Sequence, residues 1–308
     1  MAARLVVTAP SRLGDELTGL PSGVELLEWD LDGPAPRPRL DIVVLPYLRA
    51  SGMLANLASV QIRLAQSQSI GYEGVERSLP SGIPFANASS VHETSTAELA
   101  LTLVLAAQRE LPRFLDAARE GRWKTGFTRS LADSRVLLIG HGGVGRAIAA
   151  RLAPFEVDLT IVASRARFEG GTLVHGVDEL PELLPRADVV VLALPGGDAT
   201  RHVLDDAALT ALPEGALVVN VGRGSAVDTD ALVEHVRRGR IRAALDVVDP
   251  EPLPAGHPLW SLPGVIQLPH VGGASAAMTP RIARLVREQI NRMLAGRPPL
   301  NLVLGPGA

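Results

Sequence analysis

Three glycines spaced as GxGxxG, Gly140, Gly142 and Gly145, stand in the stretch RVLLIGHGGVGRAIAARLA. They follow an apolar, β-branched run and open an Ala-rich helical stretch, the context in which such a loop binds a dinucleotide. Gly140 then permits the tight turn, Gly142 lets the backbone approach a pyrophosphate, and Gly145 allows helix and strand to pack closely. Amides at the helix start, those of Gly143 and Val144 foremost, would face the anion. A second strand must end near the adenosine ribose, where an acid about 20 residues past the glycines binds the 2′-hydroxyl of NAD. Here that strand ends at Ala163 and is followed by Ser164, Arg165, Ala166 and Arg167. A run without a carboxylate but with hydroxyl and guanidinium donors suits a 2′-phosphate, so NADP is expected over NAD.

What is missing narrows the chemistry further. The chain has no cysteine, which excludes disulfides, thiolate nucleophiles and cysteine-held clusters and leaves redox work to a diffusible cofactor. Lys124 is the sole lysine, so Schiff-base chemistry would rest on one side chain in a turn-like run. The seven histidines include no HExxH and no close pair at helical spacing, so no metal site is expected. A net charge of -3 with 46% apolar and 20% charged residues argues against disorder and against a basic nucleic-acid surface. No stretch approaches the roughly 18 apolar residues of a membrane span, and no apolar leader core opens the chain. The expectation is a cytoplasmic protein with neither nucleic acid nor membrane as partner.

The elements that must hold these residues fall into two series. At 308 residues the chain exceeds what one core usually serves, so two domains with a site buried between them are expected. Strand-like runs at 4–8, 24–29, 41–45, 62–65 and 84–87 suggest a small flavodoxin-like unit. Stronger runs at 135–140, 159–163, 189–194, 216–221, 242–247 and 265–268 suggest a six-stranded Rossmann-type sheet. Between them, 93–109 reads as a helix apolar on nearly every face, to be buried between domains or subunits. A second helix at 279–294, with Thr279 capping and Pro280 first in the helix, would carry the chain back to the first domain. The fold expected is α/β, with a Rossmann-type dinucleotide-binding domain at 92–278. It is inserted into a smaller flavodoxin-like substrate-binding domain made of 1–91 plus 279–308, and the tail around LGPGA reads as loop.

Three further stretches carry a resemblance. NVGRGSAVD (220–228), ALDVVDPEPLP (244–254) and HPLWSLPGVIQLPHVGGAS (257–275) follow the glycine loop in that order. They resemble the signatures of the D-isomer-specific 2-hydroxyacid dehydrogenases, glyoxylate/hydroxypyruvate reductase-like members in particular. QSQSIGYEGVE (66–76) is similar to that family's substrate loop, and GRWKTG (121–126) to the segment leading into the first cofactor strand. The resemblance implies that Arg223 binds the substrate carboxylate and carbonyl, a role for a permanent cation with a planar fork of donors. It makes His270 the acid and base at the reacting oxygen. Glu251 would bind the other imidazole nitrogen and raise its proton affinity. Taken singly, Arg223 also reads as a turn residue, Glu251 as a solvated loop acid and His270 as a cap; their joint occurrence favours catalysis.

By the same resemblance Asp246 touches the nicotinamide carboxamide, with helix capping as its rival role. Leu194, Pro195 and Thr200 would lie beneath the adenosine, and Val221, His270 and Gly272 would join the cofactor contacts. Ser69, Ile70 and Gly71 would offer amides to the substrate carboxylate beside Arg223 and His270, with Tyr47 or Leu48 lining the side-chain pocket. Tyr72 and Glu73 stand where the family often has an Asp after the substrate-loop glycine, which leaves substrate size open. The expected function is NADPH-preferring reduction of a small 2-oxo acid, glyoxylate or hydroxypyruvate first, to the D-2-hydroxy acid. An NAD-dependent D-2-hydroxyacid or phosphoglycerate dehydrogenase is the alternative, Glu251 disfavours a formate dehydrogenase, and a dinucleotide-sensing scaffold or corepressor is the reading from another class. A homodimer through the inserted domain, using the helix from Glu93 and the arm around Trp123, is also implied.

Overall fold

Strands covered on both faces need nearly unbroken apolar runs, and the chain supplies two sets of them. The computed structural model describes residues 5–47 and 52–308. The first set forms β1 (Leu5–Ala9), β2 (Val24–Glu28), β3 (Arg39–Val44), β4 (Gln61–Gln66) and β5 (Phe85–Ala86). The second forms β6 (Arg135–Ile139), β7 (Asp158–Ala163), β8 (Arg167–Glu169) and β9 (Thr172–Gly176). It continues with β10 (Val189–Leu192), β11 (Ala216–Asn220), β12 (Ile241–Leu245) and β13 (Val265–Gln267), and β14 (Leu302–Leu304) closes the chain. Contacts divide the molecule into two units, Met1–His92 with Ser275–Ala308, and Glu93–Ala274.

In the first unit the strand order is β14-β5-β4-β3-β1-β2, the flavodoxin-like 2-1-3-4-5 arrangement with one strand added. The addition, β14, runs antiparallel to β5 in a tail expected to be loop. The helix Met278–Leu294 lays Ile282, Val286 and Ile290 against Val7, Ile42, Val44 and Leu64 of this sheet. It begins one residue before the expected start, after Ala277 and without a side-chain cap. Pro280 is therefore third in the helix rather than first, a place where its missing N–H is still harmless, because the first four amides have no partner in the helix. Gln289, 1% exposed, ties the tail down. Its amide nitrogen donates to Gln66 Oε1 at 2.8 Å and to the Leu300 carbonyl at 2.9 Å, while its Oε1 accepts from the Leu300 amide.

In the second unit the order is β13-β12-β11-β10-β6-β7-β9-β8. All strands from β13 to β9 pair in parallel, and β11 and β10 in the middle are buried throughout. The expected six strands thus become eight. β8 and β9 form an antiparallel hairpin whose two-residue turn, Gly170 and Gly171, has φ of 58° and 83°, values that select glycine in such turns. The helix Glu93–Gln108 packs against the helix Gly143–Leu152 and against β11 and β12. Ala97, Ala100, Leu101 and Val104 meet Val136, Ile148 and Val219 there. Its apolar middle is therefore used largely inside its own unit, with Glu98 and Thr102 exposed, rather than left for another domain. Among the described residues no helix is long and apolar enough to cross a membrane.

Replacing Gln289 by Leu leaves Gln66 Oε1 and both backbone groups of Leu300 short of partners in a buried place. The Gln289→Leu chain is expected to lose about 2–3 kcal/mol in a urea-unfolding measurement. A loss below about 0.5 kcal/mol would show that water replaces these bonds without cost.

Candidate active site

Steric demand explains the glycine loop position by position. A Cβ on Gly140, where φ is 107°, would lie 2.5 Å from the Ala193 carbonyl oxygen, and one on Gly145 would lie 1.9 Å from the Gly140 carbonyl oxygen. Both glycines are required for the strand, the loop and the helix Gly143–Leu152 to close on one another. Gly142 differs, since a Cβ there meets nothing within 4 Å; the space in front of this helix start is open. Gly142 brings no side-chain acceptor to the helix, and no acid stands in its first turn. An open approach to uncapped amides is a cradle that fits a pyrophosphate. Gly143 is explained by a contact that sequence reading missed, for its Cβ would lie 2.8 Å from Cγ of Glu93. Leu194 belongs to the same knot: a Cβ on Gly222 would lie 2.5 Å from its carbonyl oxygen, so the turns after β6, β10 and β11 interlock. Val221 is buried beside them. Thr200 turns inward, its hydroxyl donating to the Pro195 carbonyl at 2.7 Å.

Where the adenosine end is expected, Ser164 and Arg165 follow β7 and are exposed. A carboxylate absent from the sequence reading also reaches this place. Glu169 of β8 accepts from Arg146 Nε at 2.8 Å and Arg167 Nε at 3.0 Å, and lies 3.5 Å from Nδ1 of His141 in the glycine loop. The two guanidiniums hold its pKa well below the usual carboxylate range, at about 2. Burial pushes the proton affinity of His141 down, against the pull of Glu169.

Arg223, Glu251 and His270 stand past the carboxyl ends of β11, β12 and β13. Arg223 lies in a turn clamped by Asn220, whose side-chain amide donates to the Arg223 carbonyl at 2.9 Å and whose Oδ1 accepts from the Gly222 amide at 3.0 Å. Gly224 follows because a Cβ there would lie 1.8 Å from the Val248 carbonyl oxygen. His270 has φ of 54°, a left-handed backbone that a non-glycine residue adopts at a cost. Asp246, 2% exposed, holds it. Its carbonyl accepts from the His270 amide at 2.8 Å, and its carboxylate oxygens accept from the amides of Val271 at 2.8 Å and Gly272 at 2.9 Å. Gly272 has no room for a side chain beside that carboxylate. Asp246 is thus a strap for the His270 turn.

The imidazole Nδ1 lies 2.9 Å from Glu251 Oε2, while Glu251 Oε1 accepts from the Val248 amide at 3.0 Å. With Nδ1 engaged and the side chain 43% exposed, Nε2 is the nitrogen available to a ligand. The hydrogen bond to Glu251 raises the proton affinity of His270 above the free value of 6.5, outweighing burial and the opposing charge of Arg223. Burial pushes Glu251 up, but His270, the Val248 amide and the charge of Arg223 bring it below its ordinary value. The pair is therefore ionised between the lowered Glu251 value and the raised His270 value. Its stabilisation is fully present in His270 below 6.5 and fades as pH rises through the raised value.

The residues expected to form the substrate loop belong to the first unit. The Ser69 amide donates to Ser67 Oγ at 3.0 Å, and the Ile70 carbonyl accepts from Asn87 Nδ2 at 2.8 Å. Ser69 thus spends its amide within the loop, whereas Ile70 and Gly71 continue it. Tyr47 stacks on His92 with ring centroids 5.8 Å apart, and His92 Nε2 lies 2.6 Å from the Gln68 carbonyl oxygen. His92 was not singled out in the sequence, which offers no signal for it. Leu48 lies outside the described residues. If Glu251 sets the proton affinity of His270, Glu251→Gln will move the His270 NMR titration midpoint to lower pH. An unshifted midpoint would assign the effect to other groups.

The model of the D-isomer specific 2-hydroxyacid dehydrogenase, NAD binding domain, matches residues 101–272. The chain is 29% identical to the human glyoxylate reductase/hydroxypyruvate reductase, covering 89% of each protein. It is 32% identical to the glyoxylate reductase of Aeropyrum pernix, over 79% of this chain and 76% of that one. A D-isomer specific 2-hydroxyacid dehydrogenase from Xanthobacter autotrophicus, solved in complex with NADPH and MES, superposes with a TM-score of 0.80 at 29% identity and 98% coverage of both chains. Together with the interlocked glycine turns and the two α/β sheets, these matches identify the chain as a member of the D-isomer-specific 2-hydroxyacid dehydrogenases, a family of NAD(P)-dependent oxidoreductases.

Proposed function

We propose that this dehydrogenase reduces a small 2-oxo acid, glyoxylate or hydroxypyruvate, to the D-2-hydroxy acid and prefers NADPH. The observation that carries the reading is the accessible His270 imidazole, paired through Nδ1 with Glu251 at 2.9 Å and raised in proton affinity. A bound nicotinamide supplies the hydride. His270 holds the matching proton at Nε2 and delivers it to the substrate carbonyl oxygen. Glu251 stabilises the charged imidazole before transfer and fixes which nitrogen faces the substrate. Arg223, permanently charged, binds the substrate carboxylate and draws electron density toward the carbonyl oxygen. Asp246 keeps His270 in place by holding its turn.

The first unit takes the role of substrate domain, with the amides of Ile70 and Gly71 offered to the carboxylate. In the second unit Gly140, Gly142, Gly143, Val144 and Gly145 hold the pyrophosphate, and Leu194, Pro195, Thr200, Val221, Asp246 and Gly272 shape the rest of the cofactor groove. The NADPH preference is supported by Ser164 and Arg165, exposed past β7, and by the lack of a carboxylate in the run 163–167. The complex of the Xanthobacter relative with NADPH agrees with it, and the names of the reductase relatives support the choice of substrate. A homodimer is supported by exposed apolar side chains between 111 and 127: Leu111, Leu115, Trp123 and Phe127.

The test is NADPH or NADH oxidation with a panel of 2-oxo acids. Faster turnover of glyoxylate or hydroxypyruvate with NADPH is expected; no turnover with either cofactor, in protein that binds NADPH, contradicts the proposal. His270→Gln should lower kcat by about 10²–10⁴-fold while leaving NADPH binding in place. Arg165→Ala should weaken NADPH much more than NADH, and equal losses would remove the 2′-phosphate argument.

A further inference from the structure

A carboxylate at the adenosine end is unexpected if that end receives a 2′-phosphate. In this fold the end of the second Rossmann strand and the glycine loop flank the adenosine 2′ position. Glu169 is tied to both sides of that position. It lies 3.5 Å from His141, between Gly140 and Gly142, and it binds Arg167, two residues beyond Arg165. It also binds Arg146, in the helix that the loop opens. The β8–β9 hairpin delivers it: Arg167 and Glu169 alternate with Phe168, which is 78% exposed, so both project to one face.

We propose that Glu169 restrains the preference of this chain for NADP: its carboxylate opposes a 2′-phosphate and occupies the guanidiniums of Arg146 and Arg167 that would otherwise bind that phosphate. The inference rests on the dinucleotide reading above and adds a specificity-determining residue to it. Three guanidiniums, those of Arg146, Arg165 and Arg167, stand here against one carboxylate, and that carboxylate engages two of them. His141, half-buried, adds little charge, because its proton affinity is lowered. A dianion entering beside Glu169 is repelled by it and must compete for Arg146 and Arg167. A ribose 2′-hydroxyl meets neither penalty, so Glu169 tilts the site toward accepting NAD as well.

Calorimetric titration of adenosine 2′,5′-bisphosphate and of 5′-AMP separates these effects without turnover. For Glu169→Gln, which keeps size and shape, the bisphosphate is expected to bind about tenfold tighter than to the unmodified chain, with 5′-AMP changed less than about twofold. Glu169→Ala should move the bisphosphate in the same direction, and the gain should shrink as salt is raised. A weaker bisphosphate in both variants would overturn the proposal by making Glu169 the organiser of the arginines. Equal changes for both nucleotides would overturn it too, while leaving the dinucleotide site intact. Binding of neither nucleotide to the unmodified chain would instead remove the dinucleotide reading on which the inference rests.

Discussion

The Asp246 carboxylate holds a turn that the backbone resists. His270 adopts φ of 54°, at a cost of about 1–2 kcal/mol for a residue with a side chain. Three hydrogen bonds to Asp246, from the amides of His270, Val271 and Gly272, offset it. The ladder of β12 ends at Leu245, so Asp246 is placed by the sheet, and His270 is placed by Asp246. That geometry sets Nδ1 against Glu251 and exposes the other face of the ring. The electrostatics of the pair follow from it: proton affinity rises in the imidazole and falls in the carboxylic acid.

A second constraint acts in the middle of the same sheet, after β6, β10 and β11. Gly140, Gly222 and Leu194 belong to three different turns, and side-chain-free contacts at the two glycines allow these turns to touch. Turns held together by backbone contacts need little further ordering when a ligand arrives, which reduces the cost of binding. The proposed chemistry lies with the neighbours of these turns, Arg223 next to Gly222 and the Glu169 cluster beside His141.

Local pattern carried much of this. GxGxxG after a strand, and Arg223, Glu251 and His270 just beyond strands, could be read from spacing and resemblance because each depends on a few adjacent residues. Contacts between distant parts could not. Asp246 meets Val271 across 25 residues and Glu169 meets Arg146 across 23, and nothing in either neighbourhood advertises the partner. β14 escaped notice because a three-residue strand has no period to detect. The β8–β9 hairpin does carry a signal, two glycines between short runs, but a weak one, since the flanking runs are brief and interrupted by charge.

The central claim is that the Glu251-supported imidazole of His270 is the proton donor in reduction. The most direct measurement is the pH dependence of kcat/KM for 2-oxo acid reduction in the unmodified chain and in Glu251→Gln. The account predicts a rate that falls as pH rises through a midpoint above 6.5, and a midpoint displaced to lower pH in the variant. A profile with no such limb, or the same midpoint in both proteins, would contradict it.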